Sequence, residues 1–353
     1  MRKVLIIQNT ISHYRVPVYN RIAKAFEVTV MFSYGEEPVG AEFKTVKIET
    51  HKLWKFIVHN MSLNRICKEY DAVVMMMAPN WISMTKLLFI PFRTYKVLTW
   101  GIGVPASYSV HYDDKKKSSF GLNLMVKRSD AVIFYSDYPY KKYEKMGIPK
   151  KKMFVAHNTV DVLNSELSSD QKDIYLFVGT LYRAKGIQVL LDAYKQALTV
   201  NKQIPRLFVV GGGSEFEDIQ KWLRTAGMQK NVELTGPIYD ELELSKYFRR
   251  ALLCISPNQA GLSVQKSMGY GVPFVTRKDA FTGGEIFDIA SGDNGVLYEK
   301  DSELSGILLD AANNPTKYHE MGIRAKEFYN ANRTIDIMAQ GAIDAVSFAL
   351  EEQ

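Results

Sequence analysis

The sequence predicts two doubly wound α/β domains in series, followed by a helical tail. Three observations carry that expectation. A chain of 353 residues exceeds the usual single core, short apolar runs alternate with helical patterns in two separate rounds, and a polar break divides the rounds. With 46% hydrophobic and 24% charged residues and only 12 prolines, the composition is that of a folded globular chain throughout.

In the first round, strands are expected over 3–8, 27–32, 43–48, 71–77, 95–100, 130–135 and 153–156. Several are continuously apolar, as in a parallel sheet covered on both faces. Helices are expected near 16–26, 63–69, 81–88, 120–127 and 138–146. The stretch 162–170 then lacks bulky β-branched and aromatic residues and reads as an interdomain connection. The second round has strands over 174–179, 206–211, 231–235, 251–255, 272–276 and 295–298. Its helices are expected over 186–198, 215–225 and 241–250, from Gly261-Leu262-Ser263 onward, and over 302–312, 315–329 and 334–351. The expected division is a first domain over 1–161, a linker over 162–172, a second domain over 173–330, and a terminal helix over 331–353 packing back towards the first domain. Two such domains of similar size are expected to face each other across a cleft lined by strand carboxyl ends, where ligands bind.

Charge separates the halves. Residues 1–161 hold 25 Lys and Arg against 13 Asp and Glu, a net +12, whereas the remainder holds 20 against 25, a net −5. Lys115-Lys116-Lys117, Lys127-Arg128, Lys141-Lys142 and Lys150-Lys151-Lys152 supply much of the excess. Such runs are either solvated faces or a surface for anionic lipid headgroups; no nucleic-acid partner is expected. Cys67 and Cys254 make no metal or redox spacing and read as small buried residues in a reducing compartment. The apolar run 4–7 is too short for a signal peptide and the run 87–92 too short to span a bilayer, so a cytoplasmic location is expected, with peripheral contact at the inner membrane face as its variant.

The turn after the first strand, Asn9 to Pro17, lacks the glycine spacing of a dinucleotide fingerprint, which argues against a nicotinamide or flavin enzyme. Its His13, Tyr14 and Arg15 suit contact with an acceptor, or are ordinary loop residues. In the second half, Gly179-Thr180-Leu181-Tyr182-Arg183-Ala184-Lys185-Gly186 places two cations between a strand and a helix start, where a fork-shaped Arg and a point-charge Lys suit a diphosphate. Gly211-Gly212-Gly213-Ser214 permits close backbone approach to a ligand, or only a tight turn. After the apolar run 251–255, Ser256-Pro257-Asn258 breaks the strand and Gly261-Leu262-Ser263 opens a helix whose first N–H groups are aimed at an anion.

The ordered segments VGTLYRAKGIQVLLDAY, LFVVGGGSEFEDIQKWL, VELTGPIYDELELSKYFRRALLCISP and GLSVQKSMGYGVPFV resemble the carboxyl-terminal domain of the family 4 retaining glycosyltransferases. HYRVPVYNRIA, VLTWGIG, KRSDAVIFYSDYPYKKYEKMGI and VAHNTVD extend the resemblance over nearly the whole chain. The resemblance implies the GT-B fold, with a nucleotide diphosphate donor of the UDP or GDP type on the second domain and the acceptor on the first. It implies transfer with retention at the anomeric carbon, no metal, and a glycan or lipid-linked acceptor in cell-surface polysaccharide synthesis.

By position, Lys185 matches the family's diphosphate lysine, while the partner arginine falls on Thr180, so Arg183 is expected to supply that charge. Gly179, Thr180, Gly212, Gly213, Gly261, Leu262 and Ser263 are the expected donor-binding turns. Two glutamates separated by seven residues in the family are Asn258 and Lys266 here. Asn258 still hydrogen-bonds a sugar, Lys266 donates to a ribose hydroxyl but does not accept, and Glu285 is a candidate replacement acceptor. The family's histidine after the strand at 97–100 is missing, and His111 is the nearby candidate. Two other readings remain open at this stage: a nucleotide-sugar-binding or scaffolding protein that has lost transfer, and a nucleotide-sugar epimerase.

Overall fold

A computed structural model describes residues 1–107, 110–163 and 172–352, and the chain divides into two compact units. The first comprises residues 1–105, 113–160 and 334–353; the second comprises 106–112 and 161–333. Of the expected linker, residues 164–171 lie outside the described residues, and 162, 163 and 172 belong to the second unit.

In the first unit the strands are β1 (Lys3–Ile7), β2 (Glu27–Phe32), β3 (Lys44–Lys47), β4 (Thr50–Leu53), β5 (Phe56–His59), β6 (Ala72–Met76), β7 (Lys96–Gly101), β8 (Ala131–Phe134) and β9 (Met153–Val155). Seven form a parallel sheet in the order β3-β2-β1-β6-β7-β8-β9. Val4, Leu5, Ile6 and Ile7 are all buried, so β1 is covered on both faces, and its continuous apolar run needs no alternation. Helix α1 (Val16–Ala23) carries Pro17 in its first turn and buries Val16, Val18, Tyr19 and Ile22. The other helices before the unit boundary are α2 (Leu63–Cys67), α3 (Ile82–Thr85), α4 (Phe120–Arg128) and α5 (Asp137–Lys145).

The C-terminal helix, Ile335–Glu351, also belongs to this unit. Thr334 caps it by accepting from the Ile337 N–H, and a small-residue face of Ala339, Ala342, Ala345 and Ala349 is buried in the same core as α1 and the sheet. A Cβ at Gly341 would lie 2.3 Å from the Val155 carbonyl oxygen, so glycine permits the helix to approach β9 closely.

In the second unit the strands are β10 (Ile174–Val178), β11 (Arg206–Val210), β12 (Val232–Gly236), β13 (Ala251–Ile255), β14 (Gln259–Ala260), β15 (Phe274–Arg277), β16 (Phe281–Thr282) and β17 (Gly295–Tyr298). Six form a parallel sheet in the order β12-β11-β10-β13-β15-β17. The helices are α6 (Ile187–Val200), α7 (Phe216–Thr225), α8 (Glu241–Arg250), α9 (Ser263–Gly269), α10 (Leu304–Asn313) and α11 (Pro315–Asn332). A buried, two-pronged ion pair joins Arg333, at the end of α11, to Asp288, whose Oδ2 also accepts from Gln265 on α9.

Two departures from the expected elements have local causes. The helix expected over 81–88 is α3 followed by a 3₁₀ turn, Lys86–Phe89; the Thr85 hydroxyl donates to the Trp81 and Pro79 carbonyls and competes with regular helical bonding. The β4–β5 hairpin was not expected, because its two-residue turn is Trp54-Lys55 and carries none of the Gly, Asn or Asp residues that signal such turns. The loop 106–112, assigned from sequence to the first domain, clusters with the second unit, where His111 stacks on Phe281 at 4.4 Å and Tyr112 meets Phe287 edge-on at 5.2 Å.

Candidate functional site

In the second unit the strand order reverses between β10 and β13, the place where an open parallel sheet leaves a crevice at its carboxyl edge. The turn after β10 and the turn after β13 flank it. Lys185 lies in the first, inside a 3₁₀ turn over Arg183–Lys185 that ends at Gly186 with φ +71°. The residue is only 9% exposed, and among the described residues burial and the Cys254 thiol, with no carboxylate, are what act on its charge. Burial lowers its pKa to about 8. The neighbouring Cys254 thiol, pushed up to about 12 by burial, is neutral and offers no counter-charge. Arg183 and Thr180 are exposed on the same turn.

Asn258, in the second turn, is locked by its backbone. Its N–H donates to the Lys185 carbonyl at 3.3 Å, and its own carbonyl accepts from Phe281 N–H at 2.8 Å, next to the short β14–β16 ladder. Its side chain lies against Gly186, where a Cβ would come within 2.5 Å of Nδ2. The Asn258 Oδ1 is buried with no hydrogen-bond partner, an unsatisfied acceptor on the turn whose backbone bonds to Lys185. Gln259 takes a 2.7 Å hydrogen bond from the Tyr182 hydroxyl, tying the two turns together from their side chains as well.

The Gly-rich turn after β11 packs on the turn after β10. Leu181 N–H donates to Gly212 C=O at 2.9 Å, a Cβ at Gly211 would lie 1.9 Å from the Gly179 carbonyl oxygen, and one at Gly213 would lie 2.3 Å from that of Leu181. Gly211 and Gly213 are thus required for turn-on-turn contact, whereas Gly212 and Gly213 are the pair that remain partly exposed. A Cβ at Gly179 would sit 3.1 Å from the Lys185 Nζ, so this glycine makes room for the ammonium. Around Gly261 the situation differs: a Cβ there meets nothing within 4 Å, and the glycine is not forced by packing. Leu262 is the N-cap residue of α9 and Ser263 its first residue, but α9 has only seven residues, so its dipole is a minor contribution beside the two cations.

Two expected ligand contacts are already engaged. Lys266 pairs with Glu241, which also accepts from the Tyr270 hydroxyl at 2.7 Å. The ammonium read as a ribose donor is therefore half-buried and neutralised by a carboxylate at the start of α8. Sequence reasoning missed Glu241, because an acid in the first turn of a helix is ordinary. Glu285 is 5% exposed and bonds inside its own turn, accepting from the Gly283 N–H at 2.8 Å and the Thr282 hydroxyl at 3.2 Å, so it is not a free replacement acceptor.

In the first unit the strand order reverses between β1 and β6, and the loop bearing His13, Tyr14 and Arg15 leaves that point. His13 is exposed and Tyr14 partly so. Arg15 is buried instead of facing an acceptor: its guanidinium pairs with Asn158 Oδ1, lies 5.0 Å from the Tyr135 ring centroid, and reaches Met338 Sδ at 3.2 Å. His111 is placed with the second unit, stacked on Phe281. Among the described residues no group of three or more His, Cys, Asp or Glu is arranged to hold a metal ion.

The two parallel sheets and the C-terminal helix have the GT-B fold. The chain is similar over 98% of its length to the crystal structure of Anabaena HepE in complex with UDP, with a TM-score of 0.73 at 15% identity and all of that chain covered. Residues 161–328 match the model of the glycosyl transferases group 1, a match that falls within the second unit. The poly(glycerol-phosphate) alpha-glucosyltransferase of Bacillus subtilis is 27% identical over 177 residues, 48% of this chain and 25% of that protein. An uncharacterized 41.2 kDa protein in the cps region of Klebsiella pneumoniae is 28% identical over 218 residues, 57% of each chain. The chain thus spans from a quarter to just over half the length of these curated relatives.

Proposed function

We propose that the chain is a retaining glycosyltransferase. It moves a hexose from a nucleotide diphosphate donor to a glycan or lipid-linked acceptor in cell-surface polysaccharide synthesis, without a metal. The observation that carries this reading is Lys185, a buried cation without a carboxylate partner among the described residues, at the switch point of a parallel sheet. Burying an unpaired ammonium is costly, and a diphosphate seated on the turn offsets that cost. The bond between the anomeric carbon and the β-phosphate oxygen breaks, the acceptor oxygen bonds on the same face, and the hydroxyl proton leaves with the diphosphate. Negative charge grows on the phosphate oxygens, where Lys185 and Arg183 stabilise it more than in the ground state. Asn258 offers its unpaired Oδ1 to a donor-sugar hydroxyl.

UDP is the first nucleotide to test, since the Anabaena neighbour was crystallised with it; glucose is the first sugar, and a polyol phosphate belongs among the acceptors, after the Bacillus relative. The basic first half is the part proposed to face anionic lipid at the inner membrane surface. A second reading, a nucleotide-sugar-binding protein without turnover, is favoured by the Lys266–Glu241 pair and by Asn258, the uncharged residue at the other marker position. Release of nucleotide diphosphate from donor plus acceptor, lost in Lys185→Ala, supports transfer. Saturable donor binding without release across a panel of acceptors refutes it in favour of the second reading.

A further inference from the structure

The β4–β5 hairpin presents Leu53-Trp54-Lys55-Phe56 at its tip, with Leu53 63% and Trp54 75% exposed. Trp54 occupies the first position of the two-residue turn with φ +57°, a left-handed conformation that glycine adopts freely and a bulky residue adopts only under strain. The fold thus sustains a strained backbone to display an indole in solvent, and strain of this kind concentrates at functional positions. The Lys55 Nζ lies 4.5 Å from the Trp54 ring centroid and 5.5 Å from that of Phe56, so the tip is a cluster of aromatic faces topped by an ammonium. Lys52 and Lys55 are its charges, and no acid occurs between residues 50 and 59.

We propose that this hairpin tip inserts into the headgroup region of an anionic bilayer, with Trp54 and Leu53 at the polar–apolar boundary and Lys52 and Lys55 on lipid phosphates. Indole, aliphatic side chain and ammonium together match that boundary. A sugar-binding tryptophan is flanked by amides or carboxylates that bond hydroxyls, and residues 52–56 contain none. The inference rests on the lipid-facing role proposed for the basic first half only for the kind of surface; it adds the element that enters it.

The test is sedimentation of the full chain with vesicles of phosphatidylcholine containing one part in three of phosphatidylglycerol, at low and high salt, for wild type, Trp54→Gly and Lys55→Glu. Trp54→Gly suits the left-handed turn, so its Tm is expected to hold or rise while vesicle affinity falls about tenfold, from loss of the apolar surface that inserts. Lys55→Glu is expected to weaken binding most at low salt. Quenching of tryptophan emission by bromine-labelled lipid chains is expected in wild type and absent in Trp54→Gly. Unchanged vesicle binding in Trp54→Gly overturns the inference and leaves the basic surface standing. No binding by wild type at low salt overturns both. Loss in Trp54→Gly of self-association or of polysaccharide binding, with vesicle binding intact, assigns the tip elsewhere and also overturns it.

Discussion

Lys185 determines how the site responds to pH. Its folded pKa, about 8, lies below the 10.5 of an exposed lysine, so between those values the unfolded chain holds more protons and stability rises with pH. The charged form at neutral pH is therefore a destabilising group in the unliganded chain. Lys185→Met is expected to raise the unliganded Tm at pH 7, by an amount equivalent to at most about 3 kcal/mol, and to lose that advantage by pH 10.5, as differential scanning calorimetry would read. The same variant is expected to show no thermal shift with UDP. On the proposed role, in which the ammonium is the form that holds a diphosphate, the wild-type Kd for UDP is expected to rise about tenfold per pH unit above 8, measurable by titration calorimetry. A flat Kd between pH 8 and 9.5 removes Lys185 from the phosphate contacts. Glu241 is the residue whose importance is invisible without the fold. Glu241→Gln leaves Lys266 half-buried without its counter-charge and is expected to cost about 1–3 kcal/mol in denaturant unfolding.

At the scale of elements, the site depends on two βα turns pressed together, and glycines set the spacing. Gly211→Ala places a methyl against the Gly179 carbonyl oxygen, so the turn after β10 must shift. We expect a loss of about 2 kcal/mol or more in stability and, because Lys185 moves with its turn, a weaker UDP thermal shift. Gly261→Ala is the control: its methyl meets nothing within 4 Å, and a stable protein with weakened donor binding would mark that open space as the ligand's. These turns were legible in the sequence as glycine clusters after apolar runs. Which glycines face a ligand and which face a neighbouring turn was not, since both demands select the same residue type.

At the scale of the whole molecule, the first unit is discontinuous in sequence: residues 1–105 and 113–160 are completed by 334–353. A fragment ending at residue 160 lacks the C-terminal helix and exposes the faces of α1 and the sheet that bury Met338, Ala342, Ala345 and Val346. It is expected to aggregate or to bind a hydrophobic dye more strongly than the full chain, as size-exclusion chromatography and dye fluorescence would show. The alternation of apolar strands and amphipathic helices, the two doubly wound sheets, the glycine turns and the cations at Arg183 and Lys185 follow from periods and steric demands encoded within a few residues, and are legible without the fold. Folding is what buries Arg15 against Asn158 and Tyr135, neutralises Lys266 with Glu241, closes Glu285 on its own turn, places His111 with the second unit and leaves Trp54 exposed on a hairpin. Except for the Glu285 turn and the hairpin, these outcomes join residues tens to hundreds of positions apart. They are set by the order in which parallel strands take their places in a sheet, and local sequence patterns do not carry that information.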